Sequence, residues 1–158
     1  IILTQENISK ASLFGFSDGA NIALTFAKFY QEKVQKMILI SPNITFKQLK
    51  PIQQFMSNQL NWAARRIIHS KKMTRVTQLA REDLPIDNAE LGTIEVPTLV
   101  VMGDHDIVTP KSMAKFVDKL PLGKLTVINK CGHSVPKLKP KKLNPLSFDF
   151  LKKNEGDS

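Results

Sequence analysis

The sequence predicts an α/β fold in which a mostly parallel sheet is flanked by helices. Apolar runs of strand length alternate along the chain with amphipathic segments, and this alternation is typical of parallel βαβ units. The length of 158 residues suits one domain with a sizeable core, and a composition of 42% hydrophobic and 23% charged residues is ordinary for a globular protein. No apolar run approaches the roughly 20 residues that a membrane span requires.

The N-terminal part of the chain is predicted to alternate between helix and strand. Residues 1–7 resemble the end of a helix, residues 11–16 form a short apolar run, and residues 20–31 have helical spacing. The last of these segments is apolar on nearly all sides, so we expect that helix to be buried. Residues 36–41 are predicted to form the next strand, which the Ser41-Pro42 pair closes.

The stretch from about residue 43 to residue 93 interrupts this alternation. It contains no strand-like run, and its apolar residues recur at helical spacing: Ile52, Phe55, Met56, Leu60, Ala63, Ile67, Ile68, Met73, Val76, Leu79 and Ala80. A helical insertion in an alternating fold often covers a site, so a helical lid is one interpretation. The alternative is that these helices only cover a face of the sheet.

Alternation resumes in the C-terminal third of the chain. Residues 97–103 are predicted to form a strand, residues 111–120 a helix with one apolar face, and residues 124–129 another strand. Asn144 could cap the last helix, with Pro145 in its first turn, where a missing N–H costs nothing. We therefore expect the last regular helix to begin near Pro145.

A Gly-x-Ser-x-Gly motif lies between the first predicted strand and the following helix, at residues 15–19. A serine on such a sharp turn has a strained backbone and an exposed hydroxyl, the arrangement called a nucleophile elbow. Gly15 and Gly19 would allow the strand and the helix to approach closely. Because the motif is short, a glycine-rich turn with an exposed Ser17 is the alternative interpretation.

Two later loops contain the groups that such a serine needs. A serine hydroxyl becomes a nucleophile when a base accepts its proton and an acid orients the base. Asp106 follows the strand predicted at residues 97–103, and His133 follows the strand predicted at 124–129. The order Ser17, Asp106, His133 is the chain order of elbow-containing hydrolases. Asp104 competes with Asp106 for the role of the acid.

Four segments of the chain together resemble the α/β-hydrolase superfamily, in its serine esterase and lipase-like branch. They read GFSDGANIAL, PTLVVMGDHDIVTP, CGHSVP and, in the final helix, FDFLKK. The resemblance covers nearly the whole chain and implies Ser17 as nucleophile, Asp106 as orienting acid and His133 as base. It also implies that the backbone N–H of Asp18 is one donor of an oxyanion hole. It implies no metal ion and no organic cofactor.

The function that the resemblance implies is hydrolysis of an ester-like small-molecule substrate through an acyl-enzyme intermediate. Thioester, amide and carbon–carbon bonds remain alternative targets, because a fold does not define a substrate. A non-catalytic binding protein of the same fold, or an inactive fragment, is the alternative from another class. The nucleophile of a dehalogenase-like relative would be an aspartate, and here that position is Ser17.

Proteins of this superfamily have several strands before the elbow and a loop that supplies a second oxyanion donor. Neither is found in this sequence, so residues 1–158 are expected to be the C-terminal part of the domain. The strand before Ser17 would then be an exposed sheet edge, and we expect the isolated chain to be poorly soluble and to have little activity.

The formal net charge of +9 raises the possibility of a nucleic-acid partner. The basic residues are spread along the chain without interleaved aromatic residues, so we expect no nucleic-acid binding. The one cysteine, Cys131, excludes an intrachain disulfide and favours a cytoplasmic location, although the sequence begins at Ile1 and a signal peptide is not excluded. Cys131, His69 and His105 are interpreted as structural or solvated residues.

Overall fold

The structure of the chain is a computed structural model that describes residues 2–42, 49–66, 71 and 86–152. The strands are β1 (Ala11–Phe16), β2 (Val34–Ile40), β3 (Thr98–Gly103) and β4 (Gly123–Ile128). The helices are α1 (Ile2–Gln5), α2 (Asp18–Tyr30), α3 (Pro51–Arg66), α4 (Asn88–Leu91), α5 (Pro110–Val117), α6 (Val135–Leu138) and α7 (Pro140–Lys152). A short 3₁₀ helix, Gln31–Lys33, joins α2 to β2.

The four strands form one sheet in the order β1-β2-β3-β4, and each neighbouring pair is parallel. The predicted α/β class with a parallel sheet is therefore confirmed. All six residues of β3 are buried, because helices cover both faces of a central parallel strand. In the part of the chain that the structure describes, β1 pairs with β2 alone and is an edge strand.

The core consists of two apolar clusters on opposite faces of the sheet. Alternate residues of β2 and β3 contribute to each cluster, because side chains of a strand point to opposite faces. One cluster joins the sheet to α2 and α5 through Leu24 and Met113. The other joins the sheet to α6 and α7 through Val135 and Leu143. The carboxyl ends of the strands are thus held at one edge by packed helices on both sides.

Helix α2 is less buried than its composition predicts. Its small residues and Leu24 pack on the sheet, whereas Ile22, Phe29 and Tyr30 are exposed by 69%, 60% and 52%. The expectation of a helix buried on all sides is wrong for the described structure. The physical reason is that α2 packs on β1 and β2 through one face, and the large apolar side chains on its outer face remain exposed.

The C-terminal helix begins earlier than expected. Helix α7 starts at Pro140 and continues through Pro145, so the predicted start near Pro145 is wrong. Pro140 occupies the first turn, where a missing N–H is tolerated. Pro145 is exposed within the helix, where it cannot donate a backbone hydrogen bond, and its neighbours Leu143 and Ser147 are buried.

The predicted helical insertion is described only in part. Helix α3 and helix α4 are helical as predicted, and the described part of residues 43–93 contains no strand. The remaining predictions there, including Ile67, Ile68, Met73, Val76, Leu79, Ala80 and His69, lie outside the described residues. On α3 the predicted apolar stripe is exposed, by 49% at Leu60 and 59% at Phe55. These side chains therefore do not cover a face of the sheet.

Candidate active site

Three polar residues follow directly after three neighbouring strands. Ser17 follows β1 and donates its backbone N–H to the carbonyl of Ile40 at 2.8 Å. Ser41 follows β2 and donates its N–H to Val101 at 2.8 Å. Asp104 follows β3 and extends the ladder in the same way. The parallel register thus brings the residues after the strands to one edge of the sheet, where sites of open α/β sheets gather.

The turn between β1 and α2 has the geometry of an elbow. Ser17 has φ 53° and ψ −120°, in the left-handed half of φ space that a residue with a side chain rarely adopts. A Cβ atom on Gly15 would lie 2.3 Å from the carbonyl oxygen of Gly19, so only glycine allows the strand and the helix to approach this closely. The sequence predicts that Gly19 is also needed for this close approach. That prediction is wrong, because a Cβ atom on Gly19 would have no described atom within 4 Å.

The side chains of Ser17, His133 and Asp106 form a continuous hydrogen-bonded row. His133 Nε2 lies 3.1 Å from Ser17 Oγ, and His133 Nδ1 lies 2.7 Å from Asp106 Oδ1. The imidazole is also held by the ring of Phe16, with the two ring centroids 5.2 Å apart. The structure therefore brings together the three side chains that the sequence singled out, although they come from three separate loops.

Asp106 is buried, with 2% of its surface exposed, and all its described hydrogen bonds point to the ionised form. Oδ1 accepts from the backbone N–H of Ile107 at 2.7 Å as well as facing His133, and Oδ2 accepts from the hydroxyl of Ser41 at 2.6 Å. Burial alone would raise the pKa of Asp106, but the hydrogen bonds from His133 and Ser41 outweigh it and lower that pKa. Asp106 is thus held as a carboxylate.

Asp104 has different partners. It accepts backbone N–H groups from Cys131 at 3.0 Å and Lys130 at 2.9 Å, and it lies 2.7 Å from His105 Nδ1. These hydrogen bonds lower the pKa of Asp104 well below its usual value. Asp104 therefore ties the loop after β4 to the loop after β3, and His105 is an exposed loop residue beside it.

The close approach of these two loops depends on Gly103. A Cβ atom there would lie 2.1 Å from the carbonyl oxygen of Cys131. Cys131 itself is buried, and burial raises the pKa of its thiol, so it behaves as a small apolar residue. Because the loop after β4 passes this close to Gly103, His133 lies at the edge of the sheet beside Asp106.

Ser41 is the site residue that sequence reasoning did not identify. It is buried, with φ 49°, and its hydroxyl lies 2.6 Å from Asp106 Oδ2 and 3.1 Å from the carbonyl oxygen of His133. The sequence contained one signal, namely its position directly after the strand that lies between the strands of Ser17 and Asp106. A serine before a proline is also an ordinary strand terminator, so that signal alone did not distinguish it.

Asp18 is the first residue of α2, and its side chain is exposed. The backbone N–H groups of a first helical turn have no acceptor within the helix, so that of Asp18 can bind an anion beside Ser17. In the described ranges, no three or more His, Cys, Asp and Glu side chains lie together as a metal site would require. None of the described helices is long and apolar enough to cross a membrane.

Comparison with known proteins identifies the family of the chain. Residues 1–88, more than half of the chain, match the hydrolase family described as serine aminopeptidase, S33. The chain belongs to this family. The 2-hydroxy-6-oxo-6-phenylhexa-2,4-dienoate hydrolase of Comamonas testosteroni is 29% identical to this member over an alignment that covers 96% of the chain. The chain spans 66% of the length of that relative.

Solved structures show that this family member has the α/β-hydrolase fold. An α/β-hydrolase enzyme from a Medee basin deep-sea metagenome superposes with a TM-score of 0.80 and 21% identity, over 99% of this chain and 70% of that one. The meta-cleavage product hydrolase of Pseudomonas fluorescens superposes with a TM-score of 0.67 and 21% identity, over 95% of this chain and 67% of that one.

Proposed function

We propose that this protein is a serine hydrolase that cleaves an ester-like small-molecule substrate through an acyl-enzyme intermediate. The observation that carries the proposal is the row from Ser17 Oγ through His133 to Asp106, with separations of 3.1 and 2.7 Å. The positive φ of Ser17 supports it, because backbone strain of this kind is concentrated at functional sites.

In the first step, Ser17 Oγ forms a bond to the carbonyl carbon of the substrate and transfers its proton to His133 Nε2. The Asp106 carboxylate keeps the imidazole in the tautomer that can accept this proton, and it stabilises the resulting cation. The negative charge on the substrate oxygen is met by the backbone N–H of Asp18 at the start of α2. The ester bond then breaks, and His133 returns the proton to the leaving alcohol.

In the second step, water replaces the alcohol beside His133. The imidazole accepts a proton from the water as its oxygen bonds to the acyl carbon, and Ser17 leaves with that proton. The products are the carboxylic acid and the free enzyme. Every proton transfer in this scheme uses the one Nε2 atom that faces Ser17.

We also propose that residues 43–93 form a lid within a partial α/β-hydrolase domain that spans residues 1–158. Two contacts support this interpretation. Leu49 forms an antiparallel bridge with Val108, and the N–H of Lys50 donates to the carbonyl of Ile107 at 2.9 Å. The two residues that precede α3 are therefore attached to the residues that directly follow Asp106, and a lid in this position would cover the edge of the sheet that holds Ser17.

A second candidate substrate comes from the Comamonas relative, which is named for a 6-oxo-dienoate. The ketone carbon of such a compound can be attacked by Ser17 in the same way as the carbonyl carbon of an ester. The same residues would then act on a different bond. A panel that contains p-nitrophenyl esters and 2-hydroxy-6-oxo-6-phenylhexa-2,4-dienoate separates the two candidates.

Labelling with a fluorophosphonate probe tests the proposed mechanism without knowledge of the substrate. We expect covalent labelling of the full-length protein at Ser17, and we expect Ser17→Ala to abolish it. Ser147→Ala is a matched control, because Ser147 is also a serine but its hydroxyl binds the carbonyl of Leu143 within α7. No labelling of the wild-type protein, or labelling that survives Ser17→Ala, would contradict the hydrolase and favour a non-catalytic protein of the same fold.

A further inference from the structure

We infer that Ser41 is a positioning residue, whose hydroxyl orients the Asp106 carboxylate so that Oδ1 faces His133. The inference rests on the proposed function, because it assigns a role within the same row of side chains. It goes beyond that function because it adds a fourth residue to the row. This residue, Ser41, directly follows β2, and β2 contributes no other side chain to the row.

The carboxylate of Asp106 has two oxygens with separate partners. Oδ1 is engaged by His133 Nδ1 and by the N–H of Ile107, both at 2.7 Å. Oδ2 is engaged by Ser41 Oγ at 2.6 Å. A donor on each oxygen removes the freedom of the carboxylate to rotate, because rotation would break a charge-assisted hydrogen bond at both ends. With the hydroxyl of Ser41 removed, Oδ2 would be buried without this donor.

The hydroxyl of Ser41 has a single proton and two acceptors within reach. One is Asp106 Oδ2 at 2.6 Å, and the other is the carbonyl oxygen of His133 at 3.1 Å. Hydrogen bonds to a carboxylate are shorter and stronger than those to a neutral carbonyl, so the proton points to Asp106. Ser41 Oγ therefore also contacts the backbone of His133, the residue whose ring Asp106 orients.

The backbone conformation of Ser41 is a second reason to look for a role of its side chain. Its φ is 49°, a conformation that favours glycine, and yet the residue is a serine with only 2% of its surface exposed. Glycine would relieve the strain at this position. A strained non-glycine residue in a buried site is a reason to look for a functional role of its side chain.

Several ionisable groups surround this arrangement. Asp106 contacts His133 directly, Cys131 lies on the same loop as His133, and Asp104 binds the N–H of Cys131. Asp18 follows Ser17 in the chain. Among the hydrogen bonds that the structure describes for these side chains, only one of Asp106 involves Ser41, whose hydroxyl otherwise contacts the backbone carbonyl of His133. Removal of the Ser41 hydroxyl therefore acts on the row through Asp106.

The test uses Ser41→Gly, which removes the hydroxyl and also suits the positive φ. We expect the variant to fold with a melting temperature close to that of the wild type, and we expect Ser17 to react with the fluorophosphonate about 10-fold more slowly. The loss should appear in the maximal labelling rate and not in the probe concentration at half-saturation, because Ser41 does not face the probe.

A spectroscopic measurement separates positioning from general destabilisation. The proton on His133 Nδ1, which lies in the hydrogen bond to Asp106 Oδ1, gives a resonance far downfield in the proton NMR spectrum. We expect this resonance to move or to broaden in Ser41→Gly. We expect it to stay unchanged in the control Ser147→Ala, which removes another buried serine hydroxyl at a distance from the row.

If Ser41→Gly does not fold, Ser41→Cys keeps the side-chain shape with a weaker donor and should give an intermediate labelling rate. A folded variant with the wild-type labelling rate and an unmoved Nδ1 resonance would overturn the inference. Failure of the proposed function gives a different pattern. In that case the wild type is not labelled, and a shift of the Nδ1 resonance in Ser41→Gly would still support the positioning role.

Discussion

At the scale of single residues, two carboxylates on one loop have separate tasks. Asp106 is buried and faces the imidazole of His133, whereas Asp104 binds two backbone N–H groups of the neighbouring loop. The chain turns between them, since the N–H of Asp106 binds the carbonyl of Gly103 at 3.2 Å, and the two side chains have different partners. The acid that orients a base must touch its Nδ1 atom, and Asp106 is the one at 2.7 Å from that atom.

We predict that Asp106→Asn lowers the rate of Ser17 labelling by about 10³- to 10⁴-fold, because an amide favours the wrong tautomer of the imidazole. The matched control is Asp104→Asn, which leaves the His133 contact in place. We expect the control to retain a labelling rate within about 10-fold of the wild type. Equal losses in both variants, measured on folded protein, would contradict the assignment of Asp106.

The pH dependence of stability gives a second test of Asp106, in which the wild type is compared with Asp106→Asn. The pKa of Asp106 is lowered by folding, so its ionised form stabilises the protein above its unfolded pKa of about 3.9. This contribution is lost as the pH falls through the folded pKa. Between neutral pH and about pH 2, the free energy of unfolding should therefore fall further in the wild type than in Asp106→Asn. An equal fall would show that the carboxylate is not stabilised by the fold.

At the scale of secondary-structure elements, the turn from β1 to α2 depends on Gly15 more than on Gly19. The backbone of α2 packs against Gly15, and there is no space for a methyl group. Gly19 is the second residue of α2, has a negative φ, and has open space at its Cβ position. The motif contains both glycines, but close packing requires only the first.

We predict opposite effects of alanine at these two positions. Gly15→Ala should lower the free energy of unfolding by about 3 kcal/mol or more, because the strand and the helix must move apart. Gly19→Ala should be neutral or should stabilise the protein by up to about 1 kcal/mol, because alanine is the better helix former. Denaturant unfolding of both variants measures the difference, and a similar loss in both would contradict this account of the elbow.

At the scale of the whole molecule, a buried lysine joins the sheet to the C-terminal helix. Lys36 on β2 is 6% exposed, and its Nζ donates to the carbonyls of Phe150 at 3.0 Å and Leu151 at 2.9 Å. These carbonyls belong to the last turn of α7, where a positive charge is favourable. The ammonium group also lies 5.7 Å from the centre of the Phe150 ring. The contact joins residues that are 115 positions apart.

We predict that Lys36→Met lowers the free energy of unfolding by about 1.5–3 kcal/mol, the usual contribution of hydrogen bonds to a charged group. Methionine keeps most of the aliphatic chain, so the loss reports on the ammonium group. Gln35→Met is the control, because Gln35 is an exposed neighbour on the same strand and should change stability by less than about 0.5 kcal/mol. A loss below that level in Lys36→Met would contradict the anchoring role.

The sequence by itself determined the alternation of strands and helices, the parallel sheet, and three residues that meet at its edge. These features depend on the periodicity of a few neighbouring residues and on the rule that strand ends gather at one edge. The prediction that α2 is buried failed, and so did the predicted start of α7. Periodicity describes which faces are apolar, and only packing between distant elements decides which faces are covered.

Tertiary structure alone decided how the residues at that edge are paired. The sequence already favoured Asp106 over Asp104 as the acid, but the separate partners of the two carboxylates depend on the path of the two loops where they cross at Gly103. Ser41 could be identified as a partner of Asp106 only in the folded chain, because 65 positions separate the two residues in the sequence. Such a contact is created by the register between neighbouring parallel strands, and no local pattern around a serine at the end of a strand reports that register.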